Sequence, residues 1–425
     1  MSVLLRRRDF AIFWLADVIS VIGDWMLMIG LPIYVYVLSQ STLATSIMFM
    51  VNVLPKLALG SLGGVFADRW DRRRLMIGAN LLQALCLLPL LFVHSVGSLW
   101  IVYVASFASS VIAQFFIPAA NAFLPTLVNE DELTAANSMN ALSNNLSRLI
   151  GPPLGGIIAG WFGLTGLIWS DLVSFLLAAI LIALIATRPG QRVKPALSEQ
   201  RVNPWLKVGR EWAEGMRLIW REHNVFVVLV LFGISSVGEG VISTLFAPFV
   251  SKAFHGGAAE MGWMMGSQAI GGLLGGLGVG WVASRIVPTR LLGICAFVFG
   301  CIDLIIFNYP AFFSGLLIPL GLFVLVGIPT AGMFSGYMTI IQTGTPDEYR
   351  GRVFGALFAL GGLMTLIGAS VAGLLGDRLG PVLLLNIQGG GYVLAGVLAW
   401  FWLRHEHKAN SPAASEATAE PISVS

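Results

Sequence analysis

GGVFADRWDRRRLM, residues 63–76, is a burst of charge set between two apolar runs. Each run is long enough to cross a bilayer, whose hydrocarbon core takes about twenty apolar residues of helix. The burst therefore reads as a short, strongly basic loop joining two membrane-spanning helices. The rest of the chain extends that reading.

Of the 425 residues, 56% are hydrophobic and 11% charged, whereas soluble globular chains carry about 25% charged residues. The mean hydropathy is +0.83. The sequence thus predicts an all-α integral membrane protein whose non-covalent surroundings are the lipid bilayer. Twelve spans are expected, near residues 10–38, 43–67, 75–93, 99–123, 134–160, 167–186, 224–252, 261–283, 291–309, 313–343, 351–376 and 381–403. Basic residues decide the orientation. With a cytoplasmic N-terminus, that side receives Arg6–Arg8, the cluster Arg69–Arg74, the basic stretch Arg188–Arg221, the pairs Arg285/Arg290 and Arg350/Arg352, and Arg404 with Lys408. Only Lys252 and Arg378 fall outside, while Lys56 and Arg148 fall within spans. Both termini are expected in the cytoplasm, and the protein in the inner (plasma) membrane. Arg6–Arg8 before an apolar run suggests a signal peptide, but the run is too long and lacks a small-residue cleavage site, so it is expected to remain as the first span. Cys86, Cys295 and Cys301 lie in spans without CxxC spacing and read as packing residues.

The two halves repeat. ISVIGDW from Ile19 matches ISSVGEG from Ile234, which places Asp24 over Glu239. VFADR ending at Arg69 matches WVASR ending at Arg285, and RLIGPPLGG from Arg148 matches TLIGASVAG from Thr365. A duplicated six-helix unit leaves such a slowly drifting offset. The expected organisation is a bundle over 1–187, a polar, proline-containing cytoplasmic linker over 188–222, a second bundle over 223–404 and a disordered cytoplasmic tail over 405–425.

The charged loop resembles the one between helices 2 and 3 of the major facilitator superfamily, a family of secondary transporters. Residues 118–156, PAANAFLPTLVNEDELTAANSMNALSNNLSRLIGPPLGG, are similar to the helix 4–helix 5 region of the branch that holds macrolide-efflux and enterobactin-exporter proteins. The resemblance implies two pseudo-symmetric six-helix bundles with a substrate site between them near the midplane. It also implies a cytoplasmic gate at Gly64, Asp68, Arg69, Arg72 and Arg73, in which Asp68 meets the N-terminus of helix 11 around Thr345. An Asp at the C-terminal end of its own helix is disfavoured by that helix's dipole and needs such a partner. The plainer alternative is a solvated loop that only sets topology. In the second half Ser284 replaces the Asp, which makes the gate asymmetric. Gly151, Pro152, Gly155 and Gly156 match the helix 5 antiporter motif, which in the family packs against the other half, and Ser147 stands where the family has its first glycine. Generic small-residue packing is the competing reading.

Charges inside spans default to function or to mutual pairing. Asp17, Ser20 and Asp24 share one helix face, as do Asn137, Asn140, Asn144 and Arg148. Lys56 and Arg148 are expected to neutralise Asp17, Asp24 or Asp171. Glu239 has no basic residue at its depth in its own half, and a buried carboxyl without a cation takes up a proton more readily. It is the expected proton site, with Asp24 the expected contact for a cationic substrate or for Arg148. Asp303 joins Asp17, Lys56 and Asn144 among the candidates for proton coupling or the substrate cavity, while Asp171 and Asp303 lie nearer the outer ends of their spans, so that snorkelling to water is the competing reading for both. The spacing of Thr345 with Glu348 and of Asn129 with Glu132 predicts capping boxes. The fourth span, 99–123, carries no charge, with Ser110 and Gln114 its nearest polar groups, so the helix 4 Arg of many proton antiporters is missing and Arg148 would take its place.

No GxxxxGK[ST] loop is present, and His94, His223, His255, His405 and His407 sit at span ends or in loops. Neither an ATP-driven pump, another enzyme nor a metal site is indicated, and no cofactor or nucleic acid is expected. The expected function is proton-coupled export of an amphipathic small molecule by a monomer. A lysophospholipid flippase, a siderophore exporter and a flux-free sensor are the alternatives.

Overall fold

The computed structural model describes residues 4, 7–67, 70–185, 213, 216, 217, 219–282, 285–313 and 315–403, and covers 60–67 and 282 by their helical backbone. Twelve long helices run through these residues: α1 (Arg8–Ser39), α2 (Thr42–Ala67), α3 (Arg72–Leu87), α4 (Leu99–Phe123), α5 and α6 (the two arms of Leu133–Leu184), α7 (His223–Phe254), α8 (Ala258–Val282), α9 (Pro288–Asn308), α10 (Leu317–Thr343), α11 (Arg350–Leu379) and α12 (Pro381–Trp402). The turn between α5 and α6 is a single residue, Gly163, at φ 63 and ψ −160, a conformation open to glycine. Helix starts follow the local chemistry. Pro288 and Pro381 open α9 and α12, where their missing N–H costs nothing. Asp71 caps α3 by accepting the Arg74 N–H at 2.8 Å.

The duplication is visible in the backbone. Gln40 ends α1 and His255 ends α7, both in the left-handed region at φ 52 and φ 50. Pro32 and Pro248 lie inside the same two helices at corresponding positions. The expected fold class, an all-α membrane protein with twelve transmembrane helices in two pseudo-symmetric six-helix bundles, is the one found. In the first half α1 packs on the α5–α6 arms, α2 and α3 on α4, and α3 on α6; in the second, α7 packs on α11, α8 on α10, and α9 on α12. The halves meet along α5–α8 and α2–α11.

Each half holds two apolar clusters, one toward each end. Phe10, Phe13, Met76, Met139 and Ile182 form one in the first half and Leu31, Val35, Leu90, Val102 and Ile168 the other. The cluster around Leu245, Phe249, Met264 and Ala372 also takes in Ile29 and Ile33 of α1, so apolar packing crosses between the halves at the end that carries the α1–α2 and α7–α8 turns.

Several expectations change here. Arg72 donates to the Ala122 carbonyl at 2.9 Å, and Arg73 donates to the carbonyls of Ile182, at 3.1 Å, and Ala183. Both guanidiniums therefore bind carbonyls at the C-terminal ends of α4 and α6 within their own half, where a cation also complements the helix dipole. Arg73→Ala should cost about 1.5–3 kcal/mol, the value of hydrogen bonds to a charged group. A thermal-unfolding midpoint in detergent equal to that of the unmodified protein would contradict this assignment. Glu132 accepts the Asn129 N–H at 3.0 Å as expected and also pairs with Arg7 at 3.0 Å. The Thr345 box is absent: the 3-10 turn Asp347–Tyr349 takes Pro346 as its N-cap, one residue later than the spacing predicts, and Thr345 Oγ1 is buried without a hydrogen bond. Asp68, Arg69, the surroundings of Gly64, Ser284, most of the 188–222 linker and the 405–425 tail lie outside the described residues.

Candidate functional site: a carboxylate-lined cleft between the halves

Asp24 lies halfway along α1 and Glu239 halfway along α7, yet both side chains are exposed. The residues beside them are not: Gly23 and Met26 are buried in the first half, Gly238 and Gly240 in the second. A mid-span carboxyl that is open while its neighbours are packed faces a gap rather than lipid. Lys56 of α2 is also exposed, and its charge acts on Asp24. Asn137, Asn144 and Arg148 form an exposed stripe on α5, with Asn140 half-buried among them. The Arg148 guanidinium sits 5.9 Å from the centre of the Trp25 ring, next to Asp24, and its charge reaches Glu239 in the other half.

Arg148 thus lies against Trp25 and forms no ion pair with an acid of its own half among the described residues, which corrects the expectation. Among the described residues no Lys or Arg nitrogen lies within 4.0 Å of Asp17, Asp24, Asp171, Glu239 or Asp303. Sequence spacing places Lys56 and Arg148 at the right depth, but the direction in which each helix turns them is a tertiary property.

Asp171 and Asp303 do not snorkel. Their exposures are 1% and 5%. Ser174 Oγ donates to Asp171 at 3.1 Å, and Gln388 Nε2 donates to Asp303 at 3.2 Å. Asp17 is half-buried, with Ser143 Oγ 3.5 Å away. The two halves are built alike at this level. A Cβ on Gly23 would strike Asp171 and Ser174 of α6, and a Cβ on Gly238 would stand 3.0 Å from Gln388 Cγ and 3.1 Å from the Tyr392 ring of α12. Asp24 and Glu239 are the residues that follow these glycines, so each acid is placed by a glycine that admits the sixth helix of its half. Sequence reasoning missed Gln388, although the repeat carries Asp171 onto it.

The second half adds a polar and aromatic wall. Tyr392 donates to the Ser235 carbonyl at 3.1 Å, and Ser235 Oγ lies 2.9 Å from the Tyr337 hydroxyl. Phe232 contacts Tyr337 and the exposed Phe358 edge-on, at centroid distances of 5.5 and 6.3 Å. Tyr337 and Tyr392 are themselves buried, so the exposed groups are the Asp24 and Glu239 carboxyls, Lys56, Arg148 and the Phe358 ring.

The helix 5 glycines divide between two neighbours. A Cβ on Gly155 would stand 2.8 Å from Met26 Cα, and one on Gly151 would strike Trp25, so these two close against α1. Gly156 faces the other half, where a Cβ would stand 3.0 Å from the Ala258 carbonyl, and the Pro152 carbonyl approaches Gly262 of α8. The expectation that the whole motif meets the other half holds in position for Pro152 and Gly156, while Gly151 and Gly155 face inward. The four-residue spacing puts two faces of one helix in a single motif. Among the described residues no group of His, Cys, Asp and Glu is placed to hold a metal ion.

The transmembrane secretion effector family matches the chain over residues 3–424, and the chain belongs to that family of the major facilitator transporters. It is 27% identical to macrolide efflux protein A of Streptococcus pyogenes over 88% of this chain and 91% of that protein. It is 23% identical to the enterobactin exporter of Salmonella choleraesuis over 94% and 93%. The inward-facing crystal structure of a bacterial homologue of the iron transporter ferroportin superposes with a TM-score of 0.77 at 18% identity, covering 95% of this chain and all of the other, and its outward-facing state gives 0.58. The protein is a membrane transporter, multi-pass, and not an enzyme.

Proposed function

We propose that this protein exports an amphipathic small molecule from the cytoplasm by alternating access, in exchange for protons, from a bacterial plasma membrane in which both termini face the cytoplasm. The observation that carries the reading is the pair Asp24 and Glu239: related by the repeat, halfway along α1 and α7, and both open to the same gap. Glu239 is the proton site and Asp24 the contact for a positively charged substrate, with Phe232 and Phe358 taking its apolar part. Arg148 exchanges its interaction with Glu239 when that carboxyl gains a proton. Asp17, Lys56, Asn144 and Asp303 shape the same cavity. Apolar packing between the halves, with Ile29 and Ile33 against α7, α8 and α11, lies at the end away from the basic loops. By the positive-inside rule that end is the outer one, so the cleft opens to the cytoplasm. The names of the relatives support export of a small molecule, and the enterobactin exporter among them makes a siderophore the second reading. The protein acts as a monomer, since both halves of the site come from one chain.

Flux in proteoliposomes tests this, with macrolides, catecholate siderophores and lysophospholipids offered in turn and a pH gradient imposed or withheld. Gradient-driven movement of a soluble amphiphile is the expected result. Movement of lysophospholipid alone would make the protein a flippase, and no flux of any substrate would make it a sensor.

A further inference from the structure

At the outer end, α11 of the second half reaches across to the start of α2 in the first. Asp377, in the last turn of α11, accepts the Thr42 backbone N–H at 2.9 Å on Oδ1 and the Ser41 hydroxyl at 3.1 Å on Oδ2. Thr42 Oγ1 donates to the Gly373 carbonyl at 3.0 Å, and Ser46 Oγ donates to the Ala369 carbonyl at 2.7 Å. Thr42 and Ser46 are fully buried in this contact. A Cβ on Gly373 would strike Ser46, so the approach depends on that glycine.

An Asp near the C-terminus of its own helix is opposed by that helix's dipole, while the same carboxylate at the N-terminus of another helix satisfies free N–H groups and meets a favourable field. Asp377 stands in both positions at once, so the cap on α2 offsets the cost at the end of α11, and its partner belongs to the other half. The bonds are charge-assisted, the stronger kind. Moreover, α2 and α11 run antiparallel, and each is followed or ended by Asp-Arg: Asp68-Arg69 after α2 and Asp377-Arg378 in α11. Asp377 is not the repeat copy of Asp68, whose copy is Ser284, so the outer contact is an independent feature of the helix pair.

We infer that Asp377 is the outer latch of the transport cycle, holding the extracellular end shut by capping α2 and letting go when the cleft opens outward. It acts by positioning α2 against α11 and touches no substrate. The inference rests on the alternating-access reading above, but its test needs neither a substrate nor a pH gradient.

The experiment measures distances between spin labels placed on the α1–α2 and α7–α8 turns, and separately across the cytoplasmic ends, in the full chain in lipid nanodiscs. Wild type should show a short outer distance. Asp377→Ala should raise the outward-open population about tenfold or more, lengthening the outer distance and shortening the inner one. Asp377→Asn keeps the shape and one acceptor and should shift the population less, in the same direction; Ser41→Ala removes one bond and should shift it least. If Asp377→Ala fails to fold, Asp377→Asn is read in its place. Distances in the folded variant that match wild type would overturn the latch, whatever the export assays show. A shift in these distances in a protein that shows no flux would leave the latch standing and overturn the export reading.

Discussion

Glu239→Gln should transport at a rate that no longer responds to a pH gradient, while substrate binding stays near that of the wild type. The amide keeps the size and hydrogen-bonding shape of a protonated carboxyl and cannot release the proton. The charge of Arg148 acts on Glu239, and among the described residues no Lys or Arg forms an ion pair with it. Neutralising it should free Arg148 permanently and uncouple the transport step from the proton. Asp24→Asn should behave differently, weakening a cationic substrate about tenfold to a hundredfold, the equivalent of a charge-assisted hydrogen bond, with the gradient response retained. Uptake into inside-out vesicles, with and without the gradient, separates the two. An unchanged gradient response in Glu239→Gln would move the proton site, with Asp24 and Asp303 next in line.

Substituting the two adjacent glycines of helix 5 should give two different failures. Gly155→Leu drives a side chain into the backbone of α1 at Met26, which cannot move without unpacking the first half. Overpacking costs about 1–3 kcal/mol where side chains can adjust, and a contact with backbone belongs at or above the top of that range. The expected result is loss of folded protein. Gly156→Leu meets Ala258 and Ala259 of the other half. That variant should fold, keep its first half intact and fail to close the outer end, so its transport is lost while its thermal stability is largely kept. Gly278→Leu, at a position with nothing within 4 Å, serves as the tolerated control. Folded, active Gly155→Leu would show that α1 and α5 are not held at this distance.

How far the sequence reaches can be judged residue by residue. The charged burst at 63–76, the apolar runs and the drifting repeat were enough to expect twelve helices in two halves, because membrane span length and repeat offset are one-dimensional properties. The same repeat places Asp24 and Glu239 at equal depth, and the structure leaves both side chains exposed halfway along α1 and α7. The direction of Arg148 was not legible, since it depends on how α5 rotates against α1 and α7. The burial of Asp171 and Asp303 was not legible either: their depth along the span suggested water, but glycines at 23 and 389 bring other helices over them. Asp377 attracted no notice because an exposed acid near a helix end reads as surface until its partner, 335 residues away, is placed beside it.

In alternating access, a cleft holding Asp24 and Glu239 opens to one side of the membrane at a time. The direct test uses a chain in which Cys86, Cys295 and Cys301 are replaced by Ala, carrying Asp24→Cys or Glu239→Cys, and a membrane-impermeant thiol reagent added to one side of sealed vesicles. At rest both cysteines should react rapidly from the cytoplasmic side and slowly from outside, and adding Asp377→Ala should reverse that preference. Equal reaction from both sides, or from neither, would contradict the account.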